Sequence, residues 1–214
     1  MKKTSTRILI ADDHYVVRMG LTTMINTEPD MEIVAEASDG AQAVGLYTRF
    51  NPDVTLLDLR MPLMSGIEVV TAIRAQNKNA KILILSAMSG DEDIHKALEA
   101  GVAGYVLKDS TDEKLIPAIR AVAAGHRWIP EDVAKRLSSR RLFEDLTSRE
   151  LQVLNKLIKG MANKQIADAL NISENTVKGF LKNILAKLHV ADRTEAVAGA
   201  IQRGIIHFQF VRQP

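Results

Sequence analysis

The sequence contains no cysteine, which excludes disulfide bonds and thiolate metal sites. Its five histidines (His14, His95, His126, His189 and His207) show neither HxxxH nor HExxH spacing, so no zinc site of that kind is expected. Aromatic residues number nine in 214, which leaves the core to aliphatic side chains. No stretch reaches the roughly 18 uncharged apolar residues that a membrane span needs. Near the start, two lysines precede only a short apolar run, Ile8 to Ala11, broken by Asp12, so no signal peptide is expected there. A cytoplasmic chain without membrane contact is expected.

What remains is an ordinary globular composition, 46% hydrophobic and 25% charged. The length suits one or two domains. The net charge of +2 is unevenly spread. Residues 1–125 carry 13 Lys and Arg against 17 Asp and Glu, a net of −4, and residues 126–214 carry 15 against 9, a net of +6. A basic, anion-seeking module follows an acidic one.

The first half alternates short apolar runs with amphipathic stretches. Strands are predicted at 7–11, 32–37, 54–58, 81–86 and 104–107, and helices at 16–26, 41–50, 67–75, 91–100 and 112–124. This alternation predicts an α/β fold: a doubly wound, five-stranded parallel sheet. From Leu146 onward only helical spacing remains, with helices at 148–159, 163–170, 174–188 and 193–202, an all-α four-helix domain. Thr147 and Glu150 have capping-box spacing, and Asp192 and Glu195 repeat it. The division is 1–124, a linker over 125–145 that is helical from Glu131 to Leu142, and 146–214.

In open parallel sheets, ligands bind beyond the carboxyl ends of the strands. Asp12 and Asp13 follow the first strand, Asp58 ends the third, Ser86 the fourth, and Lys108 follows the fifth. For strand order 2-1-3-4-5 the carboxylates converge. Such a cluster suits a hard divalent cation, Mg2+. With a hydroxyl and an ammonium beside it, the site suits an incoming phosphoryl group, with Asp58 as nucleophile. Pro62 and Gly66 mark either a loop that leaves room for phosphate or a plain turn.

In the second half, 163–170, the turn Asn171-Ile172-Ser173 and 174–188 read as helix, turn, helix. Val177, Leu181, Ile184 and Leu188 form one apolar stripe. Lys178, Gly179 and Lys182 lie on the opposite face, where a recognition helix would meet the major groove.

The stretches IADDH, LLDLRMPLMSG, ILILSA and GYVLKD resemble the signatures of two-component receiver domains. The stretch from Leu146 to about Ala200, beginning LTSRELQVL, resembles the LuxR-type helix-turn-helix. Together they resemble response regulators of the NarL/FixJ class. The resemblance implies a flavodoxin-like receiver whose Asp58 takes phosphate from a histidine kinase. It implies Mg2+ held by Asp58, directly by Asp13, through water by Asp12, and by the backbone carbonyl of Arg60. Ser86 and Tyr105 would form the switch pair, with Tyr105 turning inward. Lys164 and Thr176 would touch DNA phosphates. Promoter DNA, RNA polymerase and a second copy of the chain after phosphorylation are the implied partners. Many receivers have proline after the lysine; this chain has Asp109. The last helix is commonly the dimer contact, and Ala196, Val197, Ala200 and Ile201 serve either that contact or the domain's own core. The tail, His207 to Val211, carries no assignable motif.

An enzyme with an aspartyl nucleophile is the competing class. Such phosphatases place a second Asp two residues after the nucleophile, where this chain has Arg60. A regulator that ignores phosphate is disfavoured by the full set of strand-end residues.

Overall fold

A computed structural model of the chain describes residues 5–87, 90–140 and 144–206. It divides into two compact units, 1–88 with 94–134, and 89–93 with 135–214. The tail and the end of the expected linker helix, residues 141 and 142, lie outside the described residues.

The first unit is a parallel five-stranded sheet in the order β2-β1-β3-β4-β5. Its elements are β1 (Thr6–Ala11), α1 (Tyr15–Asn26), β2 (Met31–Ala37), α2 (Gly40–Phe50), β3 (Val54–Asp58), α3 (Gly66–Gln76), β4 (Ile82–Ser86), α4 (Asp91–Glu99, from Ile94 onward), β5 (Gly104–Leu107) and α5 (Thr111–Ala123). Each lies within a residue or two of its expected position, the scatter usual at element ends. A 3-10 turn at Lys108–Ser110, not expected from the sequence, joins β5 to α5. The Lys108–Asp109 peptide is trans.

β3 and β4 are buried at every position, as continuous aliphatic runs require when helices cover both faces. Alternation along the strands assigns the faces. Ile8, Ile10, Val54, Leu56, Leu83 and Leu85 pack with Leu21 and Ile25 of α1 and Leu115, Ile119 and Val122 of α5. β2 is an edge strand and carries Glu32 and Glu36 among its less buried positions. The other edge, β5, is met by a single residue beyond α5. Trp128 N–H donates to the Ala103 carbonyl at 3.0 Å, and its carbonyl accepts from Tyr105 N–H at 2.9 Å. Gly104 permits this approach, since a Cβ there would stand 2.9 Å from the Trp128 carbonyl oxygen.

α6 (Glu131–Arg140) occupies most of the expected linker helix. The second unit contains α7 (Ser148–Ile158), α8 (Asn163–Leu170), α9 (Glu174–Leu188) and α10 (Arg193–Gln202). Thr147 and Glu150 close the capping box at α7. Asp192 caps α10 through Thr194 and Glu195 N–H, while the Glu195 carboxylate accepts from Ala191 N–H, one residue earlier than a capping box would have it. Val153, Leu154, Leu157, Ile166, Val177, Ile184 and Leu188 form the core. Ala196 and Ala200 are fully buried in it and Val197 packs against it, so three of the four residues of the apolar patch on α10 serve the unit's own core.

Candidate functional site

β1 and β3 are hydrogen-bonded neighbours, and their carboxyl ends bring Asp12 and Asp58 together. Both side chains are buried. Lys108, just beyond β5, reaches both: its Nζ lies 2.5 Å from Asp12 Oδ2 and 3.1 Å from Asp58 Oδ2. Ser86 is buried at the end of β4. Asp13 is half-buried. Strand-end polar residues from β1, β3, β4 and β5 thus collect at the same end of the sheet.

The site is electrostatically tense. Burial pushes the Asp58 carboxyl above its ordinary range; the Lys108 charge opposes this, and the nearby Asp12 charge reinforces it. The Arg60 backbone N–H donates to the Asp58 carboxylate and lowers it somewhat. Burial alone would lower Lys108, but its hydrogen bond to Asp12 and the charges of Asp58 and Asp12 outweigh that and hold it above the usual lysine range.

The loop after β3 is tightly built. The Gly66 N–H donates to the Leu59 carbonyl at 2.9 Å, and a Cβ at Gly66 would stand 2.4 Å from the Asp58 carbonyl oxygen. Glycine is therefore required behind Asp58. Ser65 then starts α3 through a reciprocal capping box with Glu68. Leu63, between these anchors, has a left-handed backbone (φ 66) and is 88% exposed. Such a conformation is uncommon for a branched residue.

Tyr105 is fully buried, the inward orientation. One neighbour of the acidic cluster was missed in the sequence. His14 stands with Asp12, Asp13 and Asp58 so that one ligand atom from each lies within 4.8 Å of the others. The signal was adjacency: His14 directly follows the two aspartates.

These residues fit a divalent cation by two observations. Three carboxylates of the cluster face one another across less than 4.8 Å. Asp13 Oδ1 is a buried atom that makes no hydrogen bond, with the His14 ring nitrogen 2.8 Å away. A buried carboxylate oxygen without a donor is costly unless a cation meets it.

In the second unit, the αL residue Asn171 ends α8, and the Ser173 hydroxyl accepts from Thr176 N–H at 3.0 Å to start α9. Val177, Ile184 and Leu188 are buried and Leu181 packs against the core, so Lys178, Gly179 and Lys182 lie exposed on the other side. Lys164, near the start of α8, is exposed as well. Lys178 lies 3.5 Å from Glu174 one turn earlier, and the Thr176 hydroxyl lies 2.8 Å from that of Ser173. A part-buried ion pair joins α9 to α7: Lys187 Nζ lies 2.8 Å from Glu150 Oε2 and donates to the Asp145 carbonyl at 3.0 Å.

Residues 8–120 match the response regulator receiver domain, and residues 144–200 match the luxR family of bacterial regulatory proteins. The nitrate/nitrite response regulator protein NarP of Escherichia coli (strain K12) is 43% identical over 207 residues, covering 94% of this chain and 96% of NarP. The response regulator protein VraR of Staphylococcus aureus is 36% identical over 205 residues, covering 94% of this chain and 98% of VraR. The crystal structure of the response regulator ChrA, from a heme-sensing two-component system, covers 94% of this chain and 99% of ChrA at 38% identity with a TM-score of 0.58. The strand-end site, the basic helix-turn-helix and these matches agree: the chain belongs to the response regulators, phosphorylation-dependent DNA-binding transcription regulators of two-component systems, with a receiver domain joined to a luxR-family domain.

Proposed function

We propose that Asp58 is the phosphoacceptor and that a histidine kinase supplies the phosphoryl group. The domains are then a receiver over 1–124, a linker over 125–145 and a DNA-binding domain over 146–214. A carboxylate oxygen of Asp58 forms the new P–O bond, the P–N bond to the kinase histidine breaks, and its electron pair returns to the imidazole. The observation that carries this reading is the position of Asp58, buried at the end of β3 with the Lys108 ammonium bridging it to Asp12. Lys108 then pairs with a phosphoryl oxygen, and the Ser86 hydroxyl donates to another. Asp13, Asp12, Asp58 and the Arg60 carbonyl hold Mg2+, which when bound supplies positive charge to the phosphoryl oxygens. Ser86 and the inward Tyr105 form the switch pair. Tyr15, Val16 and Met19, 67%, 71% and 51% exposed at the start of α1, offer the kinase apolar contacts directly after the aspartates.

The output is promoter binding by a phosphorylation-induced homodimer, with RNA polymerase as a further partner. Lys178, Gly179 and Lys182 face bases, and Lys164 and Thr176 face phosphates. No substrate is turned over beyond the protein's own phosphorylation and dephosphorylation, so the chain is a switch and no enzyme. Among the described residues no helix is long and apolar enough to cross a membrane; the proposed location is the cytoplasm. The test is the intact mass after incubation with Mg2+ and acetyl phosphate. Wild type gains one phosphoryl group and Asp58→Asn gains none; equal labelling of the two overturns the assignment.

A further inference from the structure

Where β1 ends, one peptide unit carries the chain from Asp12 to Asp13. The Asp12 N–H still donates to the Ala37 carbonyl of β2 at 3.1 Å. The registers of β1 with β2 and with β3 both end at Ala11. The Asp12 carbonyl therefore lies beyond the sheet, and a side chain answers it: Arg18 Nη1 donates to it at 2.7 Å.

Arg18 is anchored to keep that bond. It stands in the first turn of α1, where its backbone N–H donates to the His14 carbonyl at 3.1 Å, and its side chain is only 15% exposed. Its Nε lies 3.8 Å from Glu36 Oε2 near the end of β2, and its guanidinium carbon lies 5.8 Å from the centroid of the Tyr15 ring. A planar fork serves a carbonyl and a carboxylate from different edges at once. The Asp12 carboxylate has its own holders, the His14 N–H and the Lys108 ammonium. The bond from Arg18 goes to the backbone instead. A peptide unit is planar, so fixing the Asp12 carbonyl fixes the direction in which the chain leaves for Asp13.

We propose that Arg18 is a positioning residue: its bond to the Asp12 carbonyl sets the Asp12–Asp13 peptide and so aims the Asp13 carboxylate at Mg2+. The proposal rests on the reading of the carboxylate cluster as a cation site. Charge and position pull in opposite directions here. Arg18 is a cation beside a cation site, so by Coulomb repulsion alone its removal would tighten Mg2+. As a positioning residue its removal loosens Mg2+; groups that orient metal ligands typically contribute about ten- to a hundredfold in affinity. Mg2+ is titrated calorimetrically into the intact chain, and labelling by acetyl phosphate is followed against Mg2+ concentration. The variants are Arg18→Met, Arg18→Lys, Glu36→Gln and Asp13→Asn.

The expected result is that Arg18→Met weakens Mg2+ at least about tenfold and raises the half-saturating Mg2+ for labelling by the same factor. Labelling at saturating Mg2+ should stay within about twofold of wild type, because Asp58 and Lys108 are untouched. Arg18→Lys keeps the charge and a donor but loses the fork, and should recover part of the affinity. Glu36→Gln leaves the bond to the carbonyl and should bind Mg2+ like wild type. Affinity within about twofold of wild type, or tighter, in Arg18→Met overturns the proposal. A loss in Glu36→Gln as large as in Arg18→Met does so as well. An Arg18→Met chain without a thermal melting transition also overturns it, since Arg18 would then serve folding. Wild-type Mg2+ binding by Asp13→Asn overturns the cation-site reading itself.

Discussion

The ammonium of Lys108 sits closer to Asp12, at 2.5 Å, than to Asp58, at 3.1 Å. The lysine therefore has a role before any phosphoryl group arrives: it neutralises two buried carboxylates that would otherwise repel. Lys108→Ala should destabilise the receiver at neutral pH by roughly 2–4 kcal/mol, since an uncompensated buried charge remains. The sign with pH follows from Asp58. A carboxyl whose folded pKa is raised costs stability above that pKa and nothing below the ordinary value of 3.8. The deficit of Lys108→Ala should thus grow from pH 4 to pH 7, and Mg2+ should recover part of it. Thermal melts across pH, with and without Mg2+, check this; a deficit independent of pH contradicts it.

Glu150 shows the opposite sign. Burial would raise its carboxyl, but the hydrogen bonds from Lys187 and Thr147 hold it below the usual glutamate range of about 4.5. A depressed pKa contributes stability above 4.5 that is lost as pH falls through the folded value. Glu150→Gln should cost about 1–3 kcal/mol at pH 7 and lose that acid-side slope. Hydrogen exchange at α7 and α9 amides in the intact chain reads it locally; an unchanged acid slope refutes the pairing.

Gly179 lies on the exposed face of α9, where a Cβ would meet nothing within 4 Å. The fold does not require glycine there. Gly179→Ala should stabilise the helix by about 0.5–1 kcal/mol. If the helix lies against bases, the added methyl should weaken cognate DNA at least fivefold, roughly 1 kcal/mol. A more stable variant with wild-type affinity would remove Gly179 from the interface.

Lys164 and Lys178 are assigned to different parts of DNA. Lys164→Ala should weaken cognate and random DNA alike and lower the salt slope by about one. Lys178→Ala should cost roughly 1–3 kcal/mol on the cognate site and much less on random DNA. Lys178 must leave Glu174 to do so, a modest matter for an exposed pair. Binding across a salt series decides; equal losses on both DNAs for Lys178→Ala make α9 a basic surface without sequence readout.

Most of the fold was legible because the core strands are unbroken aliphatic runs and the helix starts carry capping residues. RILIA, VTLLD and KILILS have no polar alternation, and Thr147, Ser173 and Asp192 stand where helices begin. The strand ends, and with them Asp12, Asp58, Ser86 and Lys108, followed from those runs. The Ser65–Glu68 box was readable from its spacing but was absorbed into the loop after Asp58. Ala196 and Ala200 could not be assigned because a small residue suits a core and an interface equally. The preference of Lys108 for Asp12 links positions 96 apart, and no local pattern carries it. The pairing of Trp128 with β5 is a single-residue bridge, too short to leave a periodicity.

That bridge has a practical consequence for how the receiver can be cut. A chain ending at Ala124, the boundary that sequence periodicity suggests, would strip the cover from β5 and expose the Tyr105 N–H and the Ala103 carbonyl. An uncovered strand margin recruits other strands. Such a fragment should self-associate with concentration, whereas one ending at Ala134 should stay monodisperse in light scattering. A dimer found with the shorter fragment would then report a missing tryptophan rather than signalling.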